Sequence, residues 1–289
     1  MQITNNYNLP DAFVNLAQDQ RAPEPNRYHV TELIKPTTMA TLERRHYDEL
    51  SQDAADCVWL VFGTAIHKVM EEADRTGKAE MEMALPVNGS VLTGRLDLYN
   101  VADKAIEDYK SATVTKVLRS DFEDWRRQGL MYAYMKMKLD GTIIKKLRFH
   151  ALLKDWSPAQ LKIAKLRGEP YPEHAVWTWE HDVTPAELTE AGDFIRSRMA
   201  EIREKENMPD NKLPACSAEE RWATDTMYAV MKPGRKSAVK LFADKAEAEE
   251  FAKTIDKATI EERLGADKRC DDYCLVSKFC AYAQGKEKQ

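Results

Sequence analysis

Residues 94–110, GRLDLYNVADKAIEDYK, are the stretch of sequence that decides the fold. Two apolar segments, 91–99 and 105–111, lie on either side of a short polar connection, which is typical of two adjacent strands. Residues i and i+2 of a strand point to the same face, so Asp108 and Lys110 should project together from the second strand. The stretch therefore predicts a β-sheet that carries charged side chains among apolar neighbours.

The paired strands bring acidic side chains together. Asp97 lies on the first strand, so we expect its carboxylate beside the Asp108 carboxylate and the Lys110 ammonium group at one end of the hairpin. Hard oxygen ligands of this kind suit Mg²⁺ or Mn²⁺, and the backbone carbonyl of Tyr109 is a further candidate ligand. Such an ion polarises a phosphate and lowers the pKa of a bound water, while a lysine neutralises developing charge. The pattern indicates metal-dependent hydrolysis of a phosphodiester.

Two predicted helices supply the remaining polar side chains. His67 lies in the helix predicted at 57–75, which we expect to be buried, and its ring nitrogen favours Mn²⁺ over Mg²⁺. Gln128 and Tyr132 are four residues apart in the helix predicted at 121–139, so they share one face. They are candidates for contacting DNA or for bracing the lysine.

Each fragment taken alone also fits an ordinary structural role. An Asp-x-Lys pair is common on protein surfaces, and a single histidine such as His67 is often a hydrogen-bonded core residue. Gln128 and Tyr132 alone suit a helix surface. The order of the fragments, and the apolar residues around Asp97 and Asp108, favour the functional interpretation.

The order of these fragments is the feature that points to a family. Gly-x-x-x-His, Gly-x-x-Asp, Asp-x-Lys and Gln-x-x-x-Tyr follow one another, and the set resembles the RecB-like branch of the PD-(D/E)XK nuclease superfamily. That branch includes the nuclease domains of RecB and AddB, the iron–sulfur nucleases of CRISPR adaptation and many phage exonucleases. The resemblance covers about residues 28–150 and the C-terminal cysteines. It differs at Asp108, where many members have glutamate.

The resemblance implies a fold and a set of roles. The fold is an α/β restriction-endonuclease-like core, a mixed sheet flanked by helices. The implied metal ligands are His67, Asp97, Asp108 and the carbonyl of Tyr109. The implied catalytic set is Asp97, Asp108 and Lys110, supported by Gln128 and Tyr132.

The cysteines form a second constellation. Cys270, Cys274 and Cys280 lie within the last twenty residues, and Cys216 lies upstream. In a chain without an export signal, such a cluster favours a metal or redox site over disulfides. Four thiolates hold either a tetrahedral Zn²⁺ or a [4Fe–4S] cluster, and the spacing alone does not separate them. Cys57 lies in an apolar run and is interpreted as a buried thiol.

The family resemblance favours a [4Fe–4S] cluster of the AddB type, held by Cys216, Cys270, Cys274 and Cys280. Two departures keep zinc open as the alternative: Cys216 follows the nuclease motifs, and three residues rather than two separate the first pair of late cysteines. Cysteines without metal are the third alternative. We expect the cluster to be structural and to attach the C-terminal tail to the helix predicted near residues 184–216.

The domain organisation follows from these segments. We expect an N-terminal arm at 1–27, a nuclease core at 28–216, a ββα insert at 217–265 and a cysteine segment at 266–289. Further strands are predicted at 80–87, 145–153 and 174–182, and a further helix at 184–207.

Composition limits the class of protein. The 289 residues carry a net charge of −5, which excludes a strongly basic, histone-like DNA binder. No apolar run is long enough for a membrane span, and the N-terminus does not look like a signal peptide, so a cytoplasmic protein of bacteria or of phage-infected cells is expected. Basic side chains near 116–127, at 145–148 and in the hairpin 232–236 are candidates for phosphate contacts or for an ordinary charged surface. Trp177 and Trp179 suit base stacking or, more simply, core packing.

The function expected from the sequence is metal-dependent hydrolysis of DNA by an exonuclease in recombination, repair or phage DNA processing. The alternatives are an endonuclease with the same site, a non-catalytic DNA-binding protein stabilised by its cluster, and an enzyme acting on RNA. DNA is the expected partner, and other recombination or replication proteins are further candidates.

Overall fold

The computed structural model describes residues 1–76 and 79–286, and the chain divides into two compact units, 1–207 and 208–289. The strands of the first unit are β1 (Gln2–Thr4), β2 (Arg27–His29), β3 (Ser51–Asp53), β4 (Ala79–Val87), β5 (Ser90–Asn100), β6 (Ala105–Ala112), β7 (Lys146–Leu153) and β8 (Val176–Asp182). Its helices are α1 (Asp11–Gln18), α2 (Val30–Ile34), α3 (Thr37–Arg45), α4 (Val58–Ala73), α5 (Val114–Arg119), α6 (Glu123–Asp140), α7 (Pro158–Arg167) and α8 (Pro185–Glu206). Within the described ranges, no helix is both long and apolar enough to cross a bilayer.

A mixed sheet forms the centre of the first unit. Its strand order in the described residues is β2-β5-β6-β7-β8, and β4 also pairs with β5. Strand β5 runs antiparallel to β4 and β6, β6 and β7 are parallel, and β8 is antiparallel to β7. Helix α6 packs against β4, β6 and β7, and α4 packs against β6. The predicted fold class, a restriction-endonuclease-like mixed sheet flanked by helices, is confirmed.

Local sequence accounts for the elements that matter most. In β7 the buried residues alternate with half-exposed ones, and Leu147, Phe149 and Ala151 have no accessible surface. Helix α8 begins at a capping box in which the Thr184 hydroxyl accepts from the Glu187 backbone and the Glu187 carboxylate accepts from the Thr184 backbone. These signals are local, so the predicted strand and helix lie within a few residues of the observed ones.

Helix α4 differs from its prediction. Val61 is its buried side chain, whereas Val58, Trp59, Leu60 and Phe62 are between 39 and 54% exposed. The apolar run identifies a helix correctly, but burial depends on what covers it. Helix α4 packs against α1 and β6, and this packing leaves the apolar residues of its first turns accessible.

The N-terminal segment predicted as an extended arm contains β1 and α1. Strand β1 pairs in parallel with β3, and α1 packs against α4 with Ala17 fully buried. Ala17, Ala54, Cys57 and Val61 form a small hydrophobic cluster there. Cys57 is 1% exposed, which agrees with its interpretation as a buried thiol.

The second unit contains a small antiparallel sheet with its own core. Its elements are β9 (Met227–Met231), β10 (Lys240–Phe242), α9 (Lys245–Ala252), β11 (Thr259–Arg263) and α10 (Ala281–Lys286). The strand order is β10-β9-β11, and Val230, Phe242 and Ala248 are buried beneath it. The ββα pattern predicted from the sequence is therefore followed by a further strand, β11, which the sequence analysis missed.

Gly94 is a glycine of the central sheet whose replacement we expect to disturb the core. A Cβ built on Gly94 would lie 2.6 Å from the Tyr132 ring and 3.1 Å from the Val30 side chain. Such overpacking typically costs about 1–3 kcal/mol. We expect Gly94→Ala to lower the free energy of unfolding by this amount in urea titrations. The matched control is Gly63→Ala, which meets no atom within 4 Å and should gain up to about 1 kcal/mol of helix stability. Equal stability of the two variants would contradict the packing argument.

Candidate active site

The site begins where the ladder between β5 and β6 ends. The last paired residues are Leu98 and Glu107, so the next pair in register would place Asp97 opposite Asp108. Like charges directly opposite each other destabilise a strand pair. Instead of a ladder bond, the Tyr109 amide donates to Oδ2 of Asp97 at 2.8 Å. The two acids therefore face a gap between the separating strands.

Asp108 is the most deeply buried acid of the site, at 1% exposure. Its Oδ2 lies 2.7 Å from Nζ of Lys110, yet among the described residues that oxygen accepts no hydrogen bond of good geometry. Burial raises the pKa of Asp108; the positive charge of Lys110 opposes this rise, and the negative charge of Asp97 adds to it. The folded chain thus holds a carboxylate whose charge is only partly compensated.

Gln128 connects the lysine to the rest of the site. Its Oε1 accepts from Nζ of Lys110 at 2.8 Å, and its Nε2 donates to the Tyr132 hydroxyl at 3.3 Å and to Oδ1 of Asp108 at 3.5 Å. The ring of Phe149 lies under the lysine, with its centroid 5.5 Å from Nζ. The ammonium group is thereby fixed between an amide, a carboxylate and an aromatic face.

His67 approaches Asp97 from helix α4. Its Nδ1 lies 3.1 Å from Oδ2 of Asp97, and its side chain is 34% exposed. The hydrogen bond with Asp97 is the largest cause of the raised pKa of His67. His67, Asp97 and Tyr109 line a cleft of about 150 Å³, and the first two also line a neighbouring groove of about 460 Å³. The half-exposed imidazole thus lies at the entrance to the buried acids.

All the residues predicted for the nuclease site lie together in the first unit. One set of contacts joins His67, Asp97 and the backbone of Tyr109; the other joins Asp108, Lys110, Gln128 and Tyr132. In the parts of the chain that are described, no three His, Cys, Asp or Glu side chains already converge as a metal site. The carboxylates are instead engaged by the amide, histidine and lysine neighbours given above.

The sequence analysis missed two residues of this groove. Trp59 and Arg95 line the groove beside His67, and Arg95 pairs with Glu71 at 3.3 Å. Trp59, Gly63 and His67 are spaced four residues apart in helix α4. This spacing places all three on one face of the helix. That spacing was the signal that could have identified Trp59.

Five of the basic residues predicted as candidates for phosphate contact are paired with carboxylates. The ion pairs include Lys116–Asp124, Arg126–Glu123, Arg127–Glu123, Lys146–Glu180 and Arg148–Glu107. The two strand tryptophans pack inward, with Trp177 stacked on Phe122 and Trp179 against Phe149. These contacts agree with an ordinary charged surface for the five paired residues and with core packing for the tryptophans. The basic hairpin at 232–236 takes no part in them and stays a prediction.

Four cysteines lie near one another in the second unit. Cys216, Cys270, Cys274 and Cys280 are each partly buried and form no disulfide. The pKa of Cys216 is raised to about 11, first by burial, then by Glu220 and by the negative charge of the other three thiols. The thiols are therefore within electrostatic range of one another, although they do not form a closed set of metal ligands among the described residues.

Asp267 anchors the segment that carries the late cysteines. It is 6% exposed and is hydrogen-bonded to Arg221 at 3.1 Å and to the Tyr282 hydroxyl at 2.8 Å, and it pairs with Lys286 at 2.9 Å. Burial alone would raise the pKa of Asp267, but its contacts with Lys286, Tyr282 and Arg221 outweigh burial and lower it to about 2. The ionised carboxylate is therefore the form that stabilises the fold.

We expect Asp267→Asn to destabilise the second unit by about 2 kcal/mol at pH 7, given the lowered pKa. Because the pKa is lower in the folded chain, this stabilisation is complete above about pH 4 and disappears as the pH falls through about 2. Urea unfolding of wild type and variant between pH 2 and 7 measures it. If the free energy of unfolding of the two proteins differs by the same amount at every pH from 2 to 7, the charge of Asp267 does not cause the difference.

The comparisons with known proteins come from solved structures. No family model and no curated protein matches the chain. The structure of SSO0001 is similar with a TM-score of 0.44 and 16% identity, covering 65% of this chain and 83% of that one. A phage related exonuclease from Haemophilus somnus 129PT is similar with a TM-score of 0.40 and 12% identity, covering 62% of this chain and 92% of that one. At these TM-scores neither similarity bears on the function of the chain.

Proposed function

We propose that this protein is a metal-dependent DNA nuclease whose site consists of His67, Asp97, Asp108 and Lys110. The observation that carries the proposal is the buried carboxylate of Asp108, with one oxygen facing Lys110 at 2.7 Å and accepting no good hydrogen bond from the described residues. A buried charge without full compensation is costly, so such a group is retained where it has a function.

The donor set suits a divalent cation. Asp97 and Asp108 offer hard oxygen ligands, and His67 and the Tyr109 carbonyl are the further donors, a set that accepts Mg²⁺ or Mn²⁺. A bound ion polarises a phosphate and lowers the pKa of water. A cation would also relieve the repulsion between the two acids, because the negative charge of Asp97 is one cause of the raised pKa of Asp108.

The chain's own residues carry the remaining tasks. Lys110 is placed to stabilise negative charge on a phosphate, because Gln128 holds its ammonium group beside Asp108. Gln128 is in turn held by the Tyr132 hydroxyl, and Tyr132 packs over Gly94. Gln128 and Tyr132 are thus positioning residues for the lysine.

We further propose that the activity is exonucleolytic and serves recombination, repair or phage DNA processing, with an endonuclease as the alternative. End-labelled linear DNA and covalently closed circular DNA, each incubated with Mn²⁺, separate the two. An exonuclease shortens the linear DNA from its ends and leaves the circle intact. Cleavage of the closed circle at a comparable rate would overturn the exonuclease assignment while keeping the nuclease.

We also propose that Cys216, Cys270, Cys274 and Cys280 bind a [4Fe–4S] cluster, with Zn²⁺ as the alternative. The other three thiols raise the pKa of the partly buried Cys216, so its thiolate would be stabilised by a cation among the four sulfurs. Metal analysis of protein purified without oxygen tests this directly. About four irons per chain support the cluster, about one zinc supports the alternative, and neither metal would contradict the proposal.

A further inference from the structure

Helix α4 presents an aromatic surface that leads to the candidate site. Trp59 is 54% exposed, and Leu60 and Phe62 are also accessible. Trp59, Gly63 and His67 follow at intervals of four residues, so they form a stripe on one helix face. Trp59 lies two turns from His67, about 12 Å along the helix axis.

The groove and the site are continuous. Trp59, Gly63, His67 and Asp97 line the same groove of about 460 Å³. Gly63 leaves open space between the tryptophan and the histidine, because even a Cβ there would meet no atom within 4 Å. A strand held with its phosphate at Asp97 would therefore extend along α4 towards Trp59.

The surroundings of Trp59 suit a nucleotide. Nζ of Lys154 lies 3.9 Å from the centre of the Trp59 ring, and Phe62 meets the ring edge-on with centroids 6.1 Å apart. One face of the indole is therefore covered by a cation, and the ring remains more than half exposed. Lys68 and Arg95 line the same groove together with the acids Asp19 and Glu71, and Arg95 pairs with Glu71, so the cation next to the indole is Lys154.

We propose that Trp59 stacks on an unpaired base close to the scissile phosphate, so that the site prefers DNA with a single-stranded segment. The inference rests on the proposed nuclease function and adds the substrate class to it. Aromatic side chains stack on any base because every base has a π-face, and paired bases inside a duplex are not available to a side chain in this way. The Lys154 ammonium group over the indole and the continuity of the groove with the proposed site favour a nucleic acid strand over a protein partner.

The test combines a protein variant with a DNA variant. Wild type, Trp59→Ala, Trp59→Phe and the control Trp222→Ala, an exposed tryptophan of the other unit, are compared on a labelled single-stranded oligonucleotide. The same oligonucleotide is also prepared with one base removed at each position in turn. Binding is measured by fluorescence anisotropy, and KM and kcat by cleavage in Mn²⁺.

We expect Trp59→Ala to weaken binding and raise KM by about 5- to 150-fold, the range for loss of one stacked base. Trp59→Phe should restore most of the affinity, and Trp222→Ala should resemble wild type. Removing the stacked base from the oligonucleotide should weaken DNA binding by wild type by a similar factor, but it should not change DNA binding by Trp59→Ala. The affinity for fully paired duplex DNA should be the same for wild type and Trp59→Ala.

Each outcome separates this inference from the nuclease proposal. Cleavage by wild type with no effect of Trp59→Ala, or an equal effect on intact and base-free DNA, would overturn the stacking inference alone. A change of oligomeric state in Trp59→Ala, seen by light scattering, would also overturn it, because the surface would then be a protein interface. Base-dependent binding without cleavage would support stacking and overturn the nuclease; neither binding nor cleavage would overturn both.

Discussion

Asp108→Asn is expected to reduce DNA cleavage by more than about 100-fold while leaving the fold intact. Groups that merely orient a metal ligand typically contribute 10- to 100-fold, so loss of a ligand itself should exceed that range. The fold should tolerate the change because burial raises the pKa of Asp108, which means that its negative charge is unfavourable in the folded chain. In EDTA, the melting temperature of the variant should equal or exceed that of wild type.

Asp182→Asn is the matched control, since its side chain is 87% exposed and lies in the same unit. It should cleave DNA and melt like wild type. Cleavage by Asp108→Asn within a few-fold of wild type would contradict the site. A large fall in its melting temperature would contradict the claim that this carboxylate is kept for function at the expense of stability.

Cys274→Ser is expected to have the largest effect on stability. Structural metal sites contribute roughly 10 kcal/mol to small domains, comparable with the whole stability of a typical domain. The second unit, residues 208–289, should therefore lose its bound metal and become sensitive to protease, while the first unit stays resistant. Metal analysis and limited proteolysis of the same sample measure both effects.

Cys57→Ala provides the control for cysteine loss, because Cys57 is buried in the first unit among Ala17, Ala54 and Val61. It should retain the metal of wild type. Metal content and melting of Cys274→Ser that match wild type would contradict a structural cluster at these cysteines.

The centre of the site could be predicted from sequence because its geometry is local. Asp97 and Asp108 lie on consecutive strands joined by a short connection, one position beyond the last paired residues Leu98 and Glu107, so a hairpin brings them close together. Asp108 and Lys110 are two residues apart in one strand, so their side chains point to the same face. There Nζ of Lys110 lies 2.7 Å from Oδ2 of Asp108. The position of these three residues was predictable because they lie close together in the sequence.

Properties that depend on distant partners were not predictable in this way. The apolar run of α4 indicates a helix but not that Trp59 is exposed, because exposure depends on which elements cover the helix. The basic side chains at Arg126 and Arg148 looked available for phosphates, yet their carboxylate partners include Glu187 and Glu107, far away in sequence. Helix α7 and strand β11 were missed.

Gly94 and Tyr132 illustrate the same limit within the site. The sequence motifs contain both residues, and the tyrosine was assigned a role in contacting DNA or bracing Lys110, with no contact to Gly94 predicted. In the structure Gly94 is the place where the Tyr132 ring meets β5, since a Cβ there would lie 2.6 Å from the ring. The contact joins residues 38 positions apart, which no periodicity within one element reveals.

The central claim is that Asp97, Asp108 and Lys110 hydrolyse DNA with a divalent cation. Its most direct test is one set of cleavage rates on labelled linear DNA: wild type with Mn²⁺, wild type with EDTA, and Lys110→Ala with Mn²⁺. We predict cleavage by wild type with Mn²⁺, none in EDTA, and a loss of about 10²- to 10³-fold in Lys110→Ala, the range for removing one group that stabilises developing charge. Absence of cleavage by wild type in Mn²⁺, or equal rates for wild type and Lys110→Ala, would contradict the claim.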